Sequence, residues 1–251
     1  MIPDSVLLFA ASALVGLLIG AVGIGGILLI PALIALAGLN PHQASATALF
    51  TFIFTGILGT LLFQRKGSID WHQTALVCAG ALVFSYAGAR LNAMVDDLTL
   101  MRAIALLVMF AGAYVFAPVR VAEQVSSAQA AGRRRLWLLL TIGALAGLGS
   151  GFSGAGGPLF SVPLMVIAGF APLSAIGTSQ VLQVFSAASG TLAHLQVGQI
   201  HWPVVAWITT GELMGVIAGV RLAHGVSAAT LRRSAGLLCL VVGAWMLWNS
   251  V

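Results

Sequence analysis

Residues 131 positions apart repeat one another along most of this chain. Gly16, Gly20, Gly23, Gly25 and Gly26 return as Gly147, Gly151, Gly154, Gly156 and Gly157. Gly38, Pro41, Ala44 and Thr47 return as Gly169, Pro172, Ala175 and Thr178. Gly59-Thr60 becomes Gly190-Thr191, and Gly67, Ile69 and Trp71 become Gly198, Ile200 and Trp202. Arg90, Arg102 and Gly112 become Arg221, Arg233 and Gly243. Glycine matches alone would mean little in a chain with 30 glycines, but a tryptophan and two arginines keep the same offset. There is one slip, Pro31 against Pro163. A sequence built this way folds as two copies of one unit. The copies are expected at residues 1–118 and 136–251. A polar, basic cytoplasmic linker at 119–135, ending in Arg133-Arg134-Arg135, joins them.

Composition decides the solvent. The chain is 60% hydrophobic and 7% charged, with a mean hydropathy of +1.07, against roughly a quarter charged in soluble domains. Such a chain cannot cover itself with polar surface, so lipid surrounds most of it, and its length suffices for about eight spans. The net charge of +5 does not indicate nucleic acid, because the basic residues sit between apolar segments, where cytoplasmic loops carry them. Cys78 and Cys239 lie singly in apolar runs and read as small buried residues. No disulfide, metal or cofactor pattern is present, and none is expected to bind. The opening Met-Ile-Pro-Asp lacks a basic n-region, so the first apolar stretch is expected to remain in the mature protein.

The apolar segments are about 5–38, 42–63, 71–91 and 98–118, then about 136–169, 173–195, 201–223 and 228–249. The opening segment of each copy is too long for one crossing and too short for two. Each carries a glycine cluster near its middle, at 20–26 and 151–157, and glycine weakens helices. Each is expected to be a broken, hairpin-like segment followed by three transmembrane helices. If the opening segment crosses once, the copies are parallel and the basic residues divide six to five. If it turns back, whether re-entrant or crossing twice, the copies are inverted. Arg65, Lys66, Arg120, Arg133–Arg135, Arg221, Arg232 and Arg233 then share one side, and only Arg90 and Arg102 lie on the other. Nine to two obeys the positive-inside rule and six to five does not. The expected fold is therefore all-α and integral to the membrane, in two inverted repeats with both termini outside.

Inverted repeats with discontinuous helices are the sequence pointer to a secondary transporter. The arm after each break begins with amides that lack helical partners and with the positive end of a helix dipole. Inversion would bring the two helix starts together near the midplane, where a small oxyanion satisfies them. The expected substrate-binding residues are Gly23, Gly25, Gly26, Ser153, Gly154, Gly156 and Gly157. Ser45 and Thr47 join them from the next helix of the first copy, and Thr178, Ser179, Gln180 and Gln183 from the second. Amides deep in a span, such as Gln180 and Gln183, need partners. Glu212 is the lone acid well inside an apolar segment and is the candidate for proton coupling. Its counterpart is Ala81. Arg90 and Arg221 are expected to snorkel at helix ends, and His194, His201 and His224 to lie at the interface.

At these residues the sequence resembles the sulfite exporter TauE/SafE family of membrane transporters. The resemblance rests on GAVGIGGILLIP and GFSGAGGPLFSVP, on PHQASATAL and PLSAIGTSQ, and on the G-x-I-[DH]-W at 67–71 and 198–202. It implies passage of small sulfur-containing anions, sulfite or organosulfonate, across a bacterial inner membrane. The first copy has Ala46-Thr47-Ala48 where the family tends toward Gly-Thr-Ser, a form kept at 177–179. The expected partners are the lipid bilayer and the anion, with a homodimer left open. Three other readings compete. Gly151-Phe152-Ser153-Gly154 resembles a rhomboid protease nucleophile motif with His194 as base, but Val22 replaces the serine in the first copy. An anion channel or a metal-ion transporter is the other alternative, although no acidic ring or Met/Cys/His cluster favours cations.

Overall fold

The computed structural model describes residues 2–23, 25–116, 133–197, 199–222 and 228–248. Regular structure among them is entirely helical. The first copy holds α1 (Ile2–Val22), a 3-10 turn (Gly25–Leu28), α2 (Leu29–Ala37), α3 (Pro41–Gln64), α4 (Trp71–Asn92) and α5 (Asp97–Phe116). The second holds α6 (Arg133–Ser153), α7 (Pro158–Ile167), α8 (Pro172–Leu195), α9 (Trp202–Leu222) and α10 (Ala228–Trp248). The starts of α3, α4 and α5 and of α8, α9 and α10 keep the sequence offset of 131. Polar caps fix three of these starts. Asn40 accepts from Gln43 N ahead of Pro41, Asp70 accepts from His72 N and Gln73 N, and Asp96 accepts from Thr99 N. The Thr99 hydrogen bonds also hold the Asp96 carboxyl below the usual carboxylate range.

Each opening segment is a helical hairpin. The chain turns after α1, and a methyl added at Gly25 would stand 2.6 Å from Val15 O, back along the helix just completed. In the second copy the Arg135 guanidinium, at the start of α6, lies 5.6 Å from the Phe170 ring, just past the end of α7. Two boundaries differ from the sequence reading. The second arm of the first copy opens with a turn of 3-10 helix, so α2 proper starts at Leu29. Arg133–Arg135 are not linker but the first turn of α6, where their long side chains extend a helix that would otherwise be short. Linker positions 119–132, with Arg120, lie outside the described residues, as do Gly198 and His224.

Among the described residues, six helices are long and apolar enough to cross a membrane: α1 (by Ser5–Val22), α3, α4, α5 (by Asp97–Tyr114), α6 and α9. α8 equals α3 in length, but Thr178, Ser179, Gln180, Gln183, Ser186 and Ser189 lower its hydropathy while remaining buried.

Glycines set the packing and reveal helix directions. A methyl at Gly143, Gly147 or Gly151 on α6 would meet Val77 O, Ala81 O or Ser85 O on α4, so these two helices run parallel. α1 and α9 run parallel too, since Gly16 meets Glu212 O and Gly215 meets Ala13 O. These are small-residue seams in which backbones touch. By contrast α3 and α8 are antiparallel: Gly59 faces Gln180, Gly56 faces Val184 and Gly190 faces Leu49. So are α5 and α10, with Gly112 at Gly236 and Leu240, and Gly243 at Ala105 and Met109. Each copy's opening helix therefore packs on a helix of the other copy. At Gly143 the added methyl would lie 1.9 Å from Val77 O, a backbone atom that cannot rotate away. Gly143→Ala should cost about 1–3 kcal/mol of stability. A melting temperature equal to wild type in detergent would show that the seam can open without penalty.

Candidate functional site

The site begins with the way the two opening helices stop. Gly23 and Gly154 end α1 and α6 with φ of 79° and 72°, a left-handed conformation that glycine adopts without a Cβ clash. Gly23 N–H donates to Leu18 O and Ile19 O, and Gly154 N–H to Ser150 O at 2.8 Å. These two glycines therefore serve as helix ends, and their amides are not free for a ligand. Gly156 and Gly157 differ, for neither N–H bonds to another described residue. Pro158 follows at the first position of α7, where its missing N–H leaves nothing unsatisfied.

The two breaks meet halfway along α3. A methyl at Gly26 would lie 2.7 Å from Ala155 O and 3.1 Å from the Phe52 ring. One at Gly156 would lie 3.2 Å from the same ring and 3.8 Å from Gln183 Oε1. Gly23 faces Val162 and Ile176. Phe52 and Gln183 occupy equivalent positions in the two copies, and Gln183 Nε2 donates to Phe52 O at 3.1 Å and Thr55 Oγ1 at 2.8 Å. Ser186 Oγ stands 3.2 Å from where a Cβ on Gly157 would be. It accepts from Ser150 Oγ, while Ser85 Oγ donates to Ser186 O at 2.6 Å.

Other expected residues divide. Ser45 joins the second break, donating to Ser153 O at 3.1 Å. Thr47 and Thr178 do not reach the breaks through their hydrogen bonds: Thr47 accepts from His201 N at 3.0 Å, and Thr178 pairs with Thr74 at 3.1 Å. They pin α3 to the start of α9 and α8 to α4. Ser179 donates to Ile176 O in its own helix. Gln180 is fully buried against Gly56 and Gly59 of α3, and neither amide atom has a hydrogen-bond partner. Glu212 is also fully buried, with both carboxyl oxygens lacking a partner at hydrogen-bonding geometry. The Thr51 side chain of α3 faces it, while Thr51 Oγ1 itself donates to Ala48 O at 2.9 Å.

One expectation fails plainly. His194 is not interfacial but fully buried. The turn after α8 covers it, with His194 Nδ1 2.8 Å from Gln199 Oε1. His201 is only partly buried, and Arg90 and Arg221 are exposed at helix ends. Sequence reasoning missed Ser85, Ser150 and Ser186, since single serines in apolar runs look ordinary. It also missed the network at one end of the bundle, where His42 Nε2 lies 3.1 Å from Asp97 Oδ1 and His42 Nδ1 2.9 Å from Asn92 Oδ1. Asn92 in turn donates to Phe152 O at 2.6 Å. Comparing each position with its counterpart would have exposed both groups. The protease reading has no geometric support, because Ser153 Oγ donates to Gly149 O at 2.7 Å and accepts from Ala155 N.

The model of the sulfite exporter TauE/SafE family matches residues 8–246. The chain belongs to that family. It is similar to a probable membrane transporter protein of Xylella fastidiosa (strain Temecula1), 25% identical over 99% of this chain and 97% of that protein. It is likewise similar to the probable membrane transporter protein YfcA of Escherichia coli (strain K12), 27% identical over 97% of this chain and 89% of the relative. The probable membrane transporter protein YdhB of Bacillus subtilis (strain 168) is 22% identical over 94% of this chain and 97% of its own length. No solved structure matches. With six apolar helices among its described residues, this TauE/SafE member is a multi-pass membrane protein, and its family and relatives are membrane transporters, not enzymes.

Proposed function

We propose that the chain is a secondary transporter of small sulfur-containing anions, sulfite or organosulfonate, in a bacterial inner membrane. The anion is held near the midplane at the paired glycine breaks. The observation that carries this reading is the meeting of Gly26 with Ala155, and of both breaks with Phe52, at the middle of α3. Amides at a helix start, stripped of side chains, form an anion site without a buried cation. Inverted repeats fit the antiparallel course of α3 against α8 and of α5 against α10, because parallel copies would hold equivalent helices in the same direction. The nine-to-two division of basic residues supports a topology with both termini outside the cell. Glu212 is the proton-coupling residue of this reading.

Proteoliposomes loaded with sulfite test the activity: release that saturates with concentration is expected, and vesicles as tight as protein-free ones would end the proposal. Topology is tested separately. Met94 is 80% exposed between α4 and α5, Gln64 is exposed at the opposite end of α4's loop, and both native cysteines are buried. A membrane-impermeant maleimide added to intact cells should label Met94→Cys and spare Gln64→Cys. The reverse pattern would place the termini inside. A single chain suffices for the reading, and the mass of the purified protein decides whether it forms a homodimer.

A further inference from the structure

The end of α6 is held by a polar set that the other copy lacks. Three of its last carbonyls are met by side chains from three different helices. Ser45 of α3 donates to Ser153 O at 3.1 Å, and Asn92 of α4 donates to Phe152 O at 2.6 Å. His194 of α8, fully buried, lies beside Gly151 O. His42 of α3 then links Asn92 to Asp97 at the start of α5. The positions equivalent to His42, Ser45, Asn92 and Asp97 are Leu173, Ile176, Ala223 and Ala228, and His194 itself corresponds to Phe63. At the end of α1 the matching contact is apolar, Ile176 against Gly23. The duplicated fold therefore closes a hairpin without this chain of polar groups.

The hydrogen-bond roles along the chain fix one another. Phe152 O can only accept, so Asn92 turns its Nδ2 toward it and its Oδ1 toward His42 Nδ1, 2.9 Å away. That oxygen also can only accept, so His42 Nδ1 carries a proton. On the other side of the ring, Nε2 lies 3.1 Å from Asp97 Oδ1, on a side chain that is 61% exposed. A neutral imidazole has one N–H and cannot donate at both nitrogens. The arrangement facing a carboxylate is complete only with a doubly protonated His42. Of its two protons, the one on Nε2 is free to leave, because losing the other would set a lone pair against Asn92 Oδ1. Nearby titratable and charged groups have other partners. Asp96 accepts from Thr99 N, and Arg90 Nη1 of α4 donates to Gln196 Oε1 at 3.4 Å. His194 Nδ1 lies 2.8 Å from the side-chain amide of Gln199, which can offer either a donor or an acceptor. His201 meets α3 through its backbone N, at Thr47.

We infer that His42 Nε2 is a proton-binding site separate from Glu212, with Asp97 as its counter-ion, and that it works as a latch. With the proton bound, α5 is tied through His42 and Asn92 to the end of α6, next to the second break. With the proton gone, Nε2 presents a lone pair to the carboxylate. The tie between α3 and α5 then opens, while Asn92 keeps its own bonds. The latch is closed at low pH and opens as pH rises. On the topology proposed above, it faces the outside of the cell. Thr51, which faces Glu212, stands nine residues further along α3, about 13 Å away, so the two protons are taken up at different places.

The test uses purified full-length protein in detergent, between about pH 5 and pH 8. Isotope-labelled histidine makes the ring nitrogens visible by magnetic resonance, and the signals missing in His42→Gln are those of His42. Both His42 nitrogens should carry protons at the acid end of the range, and Nδ1 alone at the alkaline end. An alkaline form protonated at Nε2 and bare at Nδ1 overturns the assignment. Melting temperature gives the second readout. Asp97→Asn keeps a side chain that can accept from an N–H or donate to a lone pair, so it holds His42 in both states. Across the range wild type should lose about 2–4 °C more than Asp97→Asn, the size expected of one partly exposed ion pair in a chain of this length. His42→Gln, with no proton to lose there, should respond to pH as Asp97→Asn does. Equal pH responses in wild type and Asp97→Asn overturn the latch.

Discussion

Gly26→Ala and Gly157→Leu should each reduce sulfite transport in proteoliposomes about 100-fold, a loss of about 2.8 kcal/mol. The reasons differ. A Cβ at Gly26 would stand 2.7 Å from Ala155 O, so even a methyl forces the two breaks apart. At Gly157 the first obstacle is the mobile end of Leu182, 2.0 Å from the added Cβ, and the Ser186 hydroxyl follows at 3.2 Å. A methyl there could be accommodated by a rotamer change, but a leucine would fill the space before the free amides of Gly156 and Gly157. Gly157→Ala is therefore the graded companion, expected to retain more activity than Gly157→Leu. Monodisperse elution of each variant separates loss of transport from loss of fold. Folded Gly26→Ala and Gly157→Leu proteins that transport at the wild-type rate would mean that the anion crosses elsewhere.

Glu212→Gln should transport methanesulfonate, an anion that does not titrate near neutrality, at a rate that no longer changes with pH. The glutamine keeps the shape and burial of the side chain but cannot exchange a proton. A carboxyl sealed between α1, α3 and α9 with unpartnered oxygens is tolerable mainly in the protonated form. Charging and discharging it therefore demands a rearrangement that opens a path to water, which is what a coupled carrier requires. The measurement is methanesulfonate-driven acidification or alkalinisation inside vesicles carrying a pH dye, since this anion carries no exchangeable proton of its own. Coupled proton movement in Glu212→Gln equal to wild type would remove this residue from the mechanism. An abolished pH response together with unaltered sulfite exchange at equilibrium would mark Glu212 as coupling without binding.

The duplication, the two breaks and Glu212 were legible because each leaves a mark that survives in one dimension: a fixed offset, a glycine cluster, a charge among apolar residues. The roles of individual glycines were not legible. Gly23 and Gly156 look alike in the sequence, yet Gly23 ends a helix with its amide bonded while Gly156 leaves its amide free, because only the latter follows the completed turn. The partners of Thr47 and Thr178 are hidden from the sequence for a related reason. A hydroxyl inside a span signals a polar contact, but the partner here is the start of another helix, supplied by His201 N in one copy and Thr74 in the other. His194 was read as interfacial from its position near a span end. Whether the following turn folds over such a residue or away from it depends on Gln199, five positions later, and periodicity carries no information on that. Arg133–Arg135 were assigned to the linker because a run of charge reads as solvated chain, although long basic side chains can extend a helix beyond the apolar layer.

The interlocking of the two copies bears on how the protein is made. α1 finds its closest backbone neighbour in α9, and α4 finds its own in α6. At roughly 5–20 residues per second, the ribosome completes α9 on the order of ten seconds or more after α1. Throughout that interval the small-residue face of α1 has only lipid or another protein to lie against. The first half therefore enters the bilayer as an unfinished object, and its stable form is postponed until the second half has arrived. Packing each copy's helices against those of the other makes a single body, and it also makes each copy's assembly wait on the other.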